Sequence, residues 1–222
     1  MDMIFIGAPG SGKGTQAVKI AQTFGLQHIS SGDLFRKAFD DKTELGLQAQ
    51  AYVDLGELVP DEMTVPMMLK CIEDPGNAQG VLLDGFPRTL AQAQALDADL
   101  QRIGRRIDIA VYFNVLRDEL LKRFSGRLFC QANQHVYHAR FHPPKVDGVC
   151  DLDGSKLYQR ADDAGEPIRR RLIIFYNETM QLLDYYKKQT KLREINGNQS
   201  IEQVQVALSQ EINDQLKKGM KV

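Results

Sequence analysis

Short apolar runs alternate along the chain with longer segments in which apolar residues recur at helical spacing. Each run is brief enough to be a buried strand, and each longer segment follows the period of an amphipathic helix. The predicted strands are residues 3–6, 81–84, 107–114 and 192–196, and the predicted helices are 16–24, one beginning near 34, 43–55, 61–72, 90–103, 118–124, 167–188 and 200–216. Strands alternating with helices predict an α/β fold with a parallel sheet.

One segment, residues 128–163, breaks this alternation. It contains aromatic and β-branched residues such as Phe129, Tyr137 and Val149, with several glycines and asparagines between them. This composition predicts short strands joined by turns. We therefore expect a small β-rich insertion in the α/β domain.

Composition and charge narrow the class of protein. The 222 residues, 43% of them hydrophobic, predict one domain with a sizeable core and small insertions. Lys plus Arg is 28 and Asp plus Glu is 29, so an anion site must come from local clustering, and we expect no nucleic-acid or membrane partner. No apolar run approaches the roughly 20 residues of a membrane span, and no cleavable apolar segment precedes the first strand. These features predict a cytoplasmic protein. The three cysteines, Cys71, Cys130 and Cys150, are too few for a disulfide framework.

The segment between the first strand and the first helix reads GAPGSGKGT, residues 7–15. Glycines allow successive backbone N–H groups to point at one anion, and the helix that follows adds the positive end of its dipole. Lys13 supplies a mobile positive charge for outer phosphates, and Thr15 supplies a hydroxyl at the phosphate and metal end. An ordinary glycine-rich turn would need neither the lysine nor this spacing. Gly14, between Lys13 and Thr15, departs from the general pattern of phosphate-binding loops.

A second candidate segment is LDGFPRT at residues 83–89. A short apolar strand ends there in a carboxylate and then turns through Gly and Pro. Ligands of open parallel sheets gather beyond the carboxyl ends of the strands. Asp84 at that place can orient a magnesium ion with its waters, and Arg88 can hold a phosphate with two N–H groups. A β-turn followed by a helix-capping Thr89 is the alternative interpretation.

The pattern G-x-P-G-x-G-K-G-T resembles the loop of the nucleoside monophosphate kinases, above all the adenylate kinase family. HISSGD at 28–33, LDGFPRT at 83–89, and VYH and PPKV in the insertion support the same resemblance, which covers nearly the whole chain. It implies a P-loop-containing three-layer α/β/α fold with a parallel sheet, a small helical AMP-binding lobe and a β-rich lid. The implied boundaries are 1–29, 60–126 and 164–222 for the core, 30–59 for the lobe and 127–163 for the lid.

The resemblance also implies a reaction, ATP + AMP ⇌ 2 ADP with Mg²⁺, which serves nucleotide homeostasis and salvage. Phosphoryl transfer rests mainly on positioning and charge neutralisation, so no nucleophilic triad is needed. The implied catalytic residues are Lys13, Asp84, Arg88, Arg123, Arg160 and Arg171. The implied ATP-binding residues are Gly10, Ser11, Gly12, Lys13, Gly14, Thr15, Arg123, Arg127, Val136, Tyr137 and Gln199. The implied AMP-binding residues are Ser31, Arg36, Glu57, Leu58, Val59, Gly85, Arg88, Gln92, Arg160 and Arg171.

Two positions of this implied site depart from the family pattern. Ser31 stands where the family usually has threonine but keeps the hydroxyl, and Gln199 stands where a lysine is frequent, so its contact is mainly through the backbone. Asp162 and Asp163 match carboxylates that bind a ribose or tether the lid. By spacing alone, Gln92 would be an exposed helix glutamine and Arg36 a solvated surface residue.

The lid raises the question of a structural metal. Many family members carry C-x-x-C and, about 16 residues later, C-x-x-C or C-x-x-D; here those positions hold Cys130, Asn133, Cys150 and Asp153. Asparagine is a poor zinc ligand, and His135 can replace it, which gives the set Cys130, His135, Cys150 and Asp153. Two alternatives stay open: a structural Zn²⁺, which the cysteines favour, and a metal-free lid in which these side chains hydrogen-bond.

Two rival functions follow from the same motifs. Within the enzyme class, the acceptor could be UMP, CMP or GMP, although Gln92 and the long lid favour AMP. Outside it, the chain could be a nucleotide-dependent switch or a zinc-knuckle nucleic-acid binder. The near-neutral charge argues against nucleic acid, and a second arginine-rich site argues against a simple switch. The implied site is complete in one chain, so we expect a monomer that binds ATP, AMP and ADP.

Overall fold

A five-stranded parallel sheet forms the centre of the computed structural model, which describes residues 1–219 except 78, 125, 134, 161, 162 and 164. The strands are β1 (Asp2–Ile6), β2 (Gln27–Ser30), β3 (Val81–Asp84), β4 (Ile107–Asn114) and β8 (Leu192–Asn196). Their order across the sheet is β2-β3-β1-β4-β8, and every neighbouring pair is parallel. The carboxyl ends of all five strands therefore lie along one edge.

Helices cover both faces of this sheet. They are α1 (Lys13–Phe24), α2 (Ser31–Asp40), α3 (Glu44–Asp54), α4 (Asp61–Ile72), α5 (Leu90–Arg102), α6 (Arg117–Phe124), α7 (Gly165–Ile174), α8 (Gln181–Lys188) and α9 (Ile201–Gly219). Alternate residues of β1 enter opposite cores, as the two-residue period of a strand requires. Met3 and Phe5 pack with α1 and α9, whereas Ile4 and Ile6 pack with α4, α5 and α8. The predicted three-layer α/β/α fold is confirmed.

Two helices, α2 and α3, form a small lobe beside the carboxyl edge of the sheet. The Ser30 hydroxyl accepts a hydrogen bond from the Asp33 amide, and the Thr43 hydroxyl accepts one from the Gly46 amide, so a side chain caps each helix at its start. The lobe has its own apolar cluster, in which Phe35 and Val59 are buried. A cluster this small gives limited stability on its own.

The β-rich insertion is a three-stranded antiparallel sheet. Its strands are β5 (Arg127–Cys130), β6 (Val136–His138) and β7 (Leu157–Tyr158), in the order β6-β5-β7. Its buried residues are few: Cys130, Tyr137, Cys150 and Leu157, with Leu128 packed against them. The β-rich insertion on a parallel α/β core that the sequence predicts is thus confirmed, and its strands are antiparallel.

The structure differs from the sequence prediction at three places. Strand β2 was not predicted, because its four residues include only one buried apolar side chain, Ile29, and its place depends on pairing with β3. The predicted helix 167–188 is interrupted by a π-helical turn at Phe175–Thr179, which needs no glycine or proline and therefore leaves no mark in the sequence. In the first predicted helix, Val18, Ile20, Ala21 and Phe24 recur at roughly helical spacing, but Val18 is 47% exposed and Ala17 is buried instead.

None of the helices in the described part of the chain is long and apolar enough to cross a membrane.

Candidate active site

The loop between β1 and α1 has the conformation that an anion cradle requires. Gly10 and Gly12 have φ angles of 78° and 91°, in the left-handed region that favours glycine. The Phe124 ring lies so close to Gly10 that an added Cβ would stand 3.0 Å from it. The loop therefore exposes backbone N–H groups at the positive end of α1, with no side chain in the way at these two positions.

Lys13 lies across this loop at the base of a cavity. Its Nζ donates to the carbonyl oxygens of Gly7 at 2.7 Å and Ala8 at 3.1 Å. Burial lowers its pKa to about 8; the Asp84 carboxylate opposes this shift, and neighbouring arginines, Arg88 first, add to it. These partners are neutral carbonyl groups. Because charged phosphate oxygens bind an ammonium group more strongly, Lys13 can exchange the carbonyl oxygens for phosphate oxygens.

Asp84 ends β3 at the carboxyl edge, beside the phosphate loop. Its Oδ2 lies 3.8 Å from Nε2 of His28, in the neighbouring strand β2. Burial alone would raise the pKa of Asp84, but the combined influence of His28, Lys13 and Arg88 is larger and lowers it. The carboxylate is therefore ionised at neutral pH, which is the state that binds cations or their waters.

Arginines from distant segments surround the same space. Asp163 is buried and binds two of them: Arg127 Nε donates to it at 2.8 Å, and Arg171 Nη1 at 3.3 Å. Burial, together with the nearby charge of Arg36, lowers the pKa of Arg160 to about 10, although Asp33 opposes the shift. Like charges gathered in a partly buried space are unfavourable alone and become favourable when an anion joins them.

A narrower space opens between the α2–α3 lobe and the core. The Ser31 hydroxyl and Arg88 Nε both donate to the Gly85 carbonyl, at 2.8 Å and 2.7 Å. Gln92 is 2% exposed; its Oε1 accepts from the Arg88 amide at 2.8 Å, and its Nε2 donates to Asp61 at 2.6 Å. Gln92 is thus a positioned buried amide, unlike the exposed residue that spacing alone predicts.

These groups line one large cavity of about 760 Å³ and a smaller one of about 60 Å³ beside it. Every residue predicted to bind ATP, and every predicted catalytic residue, lines the large cavity. The residues predicted to bind AMP line the small cavity, except Arg160, which lines only the large one. Arg36, Leu58, Gly85, Arg88 and Arg171 line both cavities, so the two spaces are adjacent and share a wall. Asp162 lies outside the described residues.

Several wall residues were missed by sequence reasoning. His28 was not predicted as a site residue because strand β2, which carries it, was not predicted. His28 is nevertheless the first residue of the HISSGD motif. The lid adds a row of rings to the large cavity: Phe129, His138, Phe141 and His142. Their signal was the aromatic composition of residues 128–163, which predicted short strands but did not indicate which side chains would face the cavity.

Four potential metal ligands converge at the far end of the lid. The ligand atoms of Cys130, His135, Cys150 and Asp153 all lie within 4.8 Å of one another. His135 Nδ1 is 3.3 Å from Cys150 Sγ and 3.4 Å from Asp153 Oδ2, and Cys130 Sγ is 3.1 Å from Asp153 Oδ2. Tetrahedral Zn²⁺ at its usual bond lengths would place ligand atoms roughly 3.3–3.8 Å apart. Asn133 contributes no ligand here, because its Nδ2 donates to Asp153 at 2.7 Å.

Comparison with known proteins shows which family the chain belongs to. The sequence model described as Adenylate kinase matches residues 5–191. The chain belongs to the adenylate kinase family. An adenylate kinase of Carboxydothermus hydrogenoformans is 48% identical over 204 residues, which cover 92% of this chain and 95% of the relative. Adenylate kinases of Geobacillus sp. and Staphylococcus epidermidis are 47% and 45% identical, over 92% of this chain and 94% and 95% of their own lengths.

Membership of the adenylate kinase family identifies the reaction that the chain catalyses. The chain is a nucleoside monophosphate kinase, a phosphotransferase whose reaction is ATP + AMP ⇌ 2 ADP with Mg²⁺-bound nucleotide. A cavity with a phosphate loop in one part and a second arginine-lined space beside it is what a reaction between two nucleotides needs.

Proposed function

We propose that the large cavity holds ATP with its phosphates on the loop of residues 7–15, and that the small cavity holds AMP. The observation that supports this proposal is the shared wall. Arg36, Arg88 and Arg171 belong to both spaces. These arginines stand where the transferred phosphoryl group of one nucleotide would meet the phosphate of the other. The AMP-binding lobe (30–59) supplies Arg36 to that wall, and the core (1–29, 60–126, 164–222) supplies Arg88 and Arg171. Several residues of the lid (127–163) line the large cavity.

The chemical step needs no nucleophile from the protein. The AMP phosphate is already ionised at neutral pH and attacks the terminal phosphorus of ATP, and the ADP portion leaves. Lys13, the loop amides and the catalytic arginines Arg88, Arg123, Arg160 and Arg171 neutralise the charge spread over the phosphate oxygens. Because these donors are held by the fold, they need little reorganisation during transfer. Lid and lobe exclude water, which would otherwise accept the phosphoryl group.

The carboxyl end of β3 fits the magnesium ion that accompanies the nucleotide. Asp84 is ionised and faces the phosphate loop, where an added Cβ at Gly14 would stand 3.4 Å from its Oδ2. Thr15 supplies a hydroxyl in the same cavity. Mg²⁺ retains several waters in such sites, and one carboxylate is enough to orient them. When bound, the ion neutralises charge between the outer phosphates of ATP.

Polar groups around the small cavity would select AMP over other nucleoside monophosphates. Ser31, Arg36, Gln92 and the segment Glu57–Leu58–Val59 all line this space. Gln92 is fixed by two hydrogen bonds, so its amide has a defined orientation toward a base edge. A site built to satisfy a particular pattern of donors and acceptors discriminates strongly against other patterns.

Two arginine variants test the assignment of the two ends. We expect Arg36→Ala to raise KM for AMP by roughly 10- to 100-fold with little change in KM for ATP, because one charge-assisted contact to phosphate is lost. We expect Arg123→Ala to raise KM for ATP by a similar factor with little change in KM for AMP. Steady-state kinetics with each substrate varied in turn gives both values. A change of the same size in both constants for either variant would contradict the assignment.

The lid cluster would hold one structural Zn²⁺ through Cys130, His135, Cys150 and Asp153. The cysteines are buried, and the ligand atoms already lie near tetrahedral spacing. The lid has few buried apolar residues, so a metal would supply stability that its core lacks. Hydrogen bonds from Asn133 and Ser155 to Asp153 would orient the carboxylate around the ion.

Metal content and melting temperature test this site. We expect about one zinc ion per purified chain, and we expect a strong chelator to lower Tm by several degrees, since ~1 kcal/mol corresponds to about 2–4 °C for a chain of this size. His135→Ala should lose most of the metal, whereas Gln131→Ala, an exposed change in the turn between Cys130 and His135, should retain it. If the purified chain contains no metal and the chelator leaves Tm unchanged, the four side chains only hydrogen-bond to one another and the proposed zinc site is wrong.

The remaining features of this proposal concern the protein in the cell. All site residues named above come from one chain, which supports a monomer. The binding partners are ATP, AMP and ADP, and the expected location is the cytoplasm. That no nucleic acid or membrane binds remains a prediction from the balanced charge.

A further inference from the structure

An aromatic ring in the lid lies between two of the arginines that face the phosphates. The guanidinium carbon of Arg160 is 3.4 Å from the centre of the Phe129 ring, and that of Arg127 is 5.1 Å from the same centre. Phe129 is 3% exposed and lines the large cavity. Two cations therefore share one buried ring at the edge of the proposed ATP site.

The lid strands create this arrangement through their register. Arg127 and Phe129 are two residues apart in β5, so their side chains lie on the same face of the sheet. Phe129 pairs with Tyr158 in β7, and Arg160 follows two residues later, diagonally across from Phe129. A shift of either strand by one residue would move a ring or a guanidinium to the opposite face.

The ring offers the arginines a kind of support that a carboxylate cannot. The face of an aromatic ring carries negative potential and attracts a cation without accepting its N–H groups in hydrogen bonds. Carboxylates in this region do accept them: both Nε and Nη2 of Arg127 donate to Asp163. An arginine held by a ring keeps more of its five N–H groups for phosphate oxygens.

Arg160 is the arginine for which this support matters most. Its side chain is 11% exposed, and Asp33 Oδ1 stands 4.0 Å from its Nη2, with half of the Asp33 side chain in solvent. Arg36 and Arg127 bring like charges close to it, and together with burial they disfavour its charged form. A desolvated cation gains more from a ring face than an exposed one does.

We propose that Phe129 is a positioning residue for phosphoryl transfer, whose ring face holds the guanidinium of Arg160, and secondarily that of Arg127, toward the phosphates. The proposal rests on the role assigned above to Arg160. It assigns no contact with substrate to Phe129 itself.

Fluorinated phenylalanines at position 129 test the proposal without changing the shape of the lid. Each added fluorine withdraws electron density from the ring face while the ring keeps its size and its apolar contacts. With 4-fluoro, 3,5-difluoro and 3,4,5-trifluoro analogues, we expect the single-turnover rate of ADP formation to fall stepwise with fluorine number, by about tenfold in total. The melting temperature should stay constant through the series. A rate that is independent of fluorine number would overturn the proposal.

A matched series at another phenylalanine controls for fluorination itself. Phe24 packs in the core cluster formed with α1 and α9, away from both cavities. The same analogues at Phe24 should leave the single-turnover rate unchanged. An equal fall in both series would show that the effect at Phe129 does not come from its arginines, and it would contradict the proposal.

Arg160→Ala separates this proposal from the assignment on which it rests. If Arg160→Ala transfers phosphoryl groups at a near-normal rate, the catalytic role of Arg160 is wrong and Phe129 has nothing to position. If Arg160→Ala loses activity while the Phe129 series stays flat, the role of Arg160 stands and the role of Phe129 is wrong. We expect Arg160→Ala to be severely impaired and its residual rate to respond more weakly to fluorine at Phe129.

Discussion

Lys13→Met is expected to lower the turnover of ADP formation by about 10³-fold, the scale of losing a preorganised charge that stabilises a phosphoryl transition state. Methionine fills a similar volume at the base of the cavity but provides no charge for the outer phosphates. The coupled rate of ADP formation at saturating ATP and AMP measures the effect. The loss should appear mainly in kcat, because the loop amides still bind the nucleotide.

The same variant should fold at least as well as the parent chain. The pKa of Lys13 in the folded state, about 8, lies below its ordinary value of 10.5, so at pH 7 the fold carries a buried charge that it disfavours. Methionine removes that cost, and Tm should stay equal or rise. Lys70→Met, at an exposed position in the last turn of α4, is the matched control and should change neither property. Near-normal turnover of Lys13→Met would contradict the assignment of the phosphate loop.

Arg88→Ala is expected to lower turnover by roughly 10²- to 10³-fold, with the fold intact. Arg88 lines both cavities, so it is placed to hold the AMP phosphate while the phosphoryl group passes to it. Its backbone hydrogen bond to Gln92 does not depend on the side chain, so Gln92 should keep its orientation in the small cavity. Steady-state kinetics together with a thermal melt separates loss of function from loss of fold.

A second arginine provides the control for this experiment. Arg106 follows α5 in sequence and precedes β4, and its side chain is 79% exposed and paired only weakly with Asp108. Arg106→Ala removes the same charge from the chain without touching either cavity, and both kcat and Tm should stay near their original values. If Arg88→Ala were as active as Arg106→Ala, Arg88 would have no part in the transfer.

Local patterns predicted most of the fold. Strands 107–114 and 192–196 and helix 61–72 were predicted with the ends that the structure shows. Residues 107–114 were predicted because the segment is a mostly apolar run, which is typical of a buried parallel strand. Strand β2 escaped prediction because Gln27–Ser30 is a short edge strand that depends on its hydrogen bonds to β3. The π-helical turn at Phe175–Thr179 escaped it because the sequence carries no residue that such a turn requires.

Some features of the candidate site could likewise be predicted from the sequence, and others could not. The phosphate loop and Asp84 were predictable, since a few neighbouring residues determine both conformation and chemistry. The pairing of Arg127 with the buried carboxylate of Asp163, which also binds Arg171, was not, because Arg127 and Asp163 are 36 residues apart in the chain. The contact between Phe129 and Arg160 likewise follows from strand register, which spacing along one strand does not reveal.

The most direct test of the central claim, that this cavity transfers a phosphoryl group from ATP to AMP, is a panel of acceptors in a coupled ADP assay. ATP and Mg²⁺ are supplied with AMP, UMP, CMP or GMP, each at the same concentration. The structure and the family predict rapid ADP formation with AMP and a rate lower by at least about 10²-fold with the other three, because the polar groups around Gln92 would be left unpaired. An equal or higher rate with UMP, CMP or GMP would contradict the AMP site proposed here.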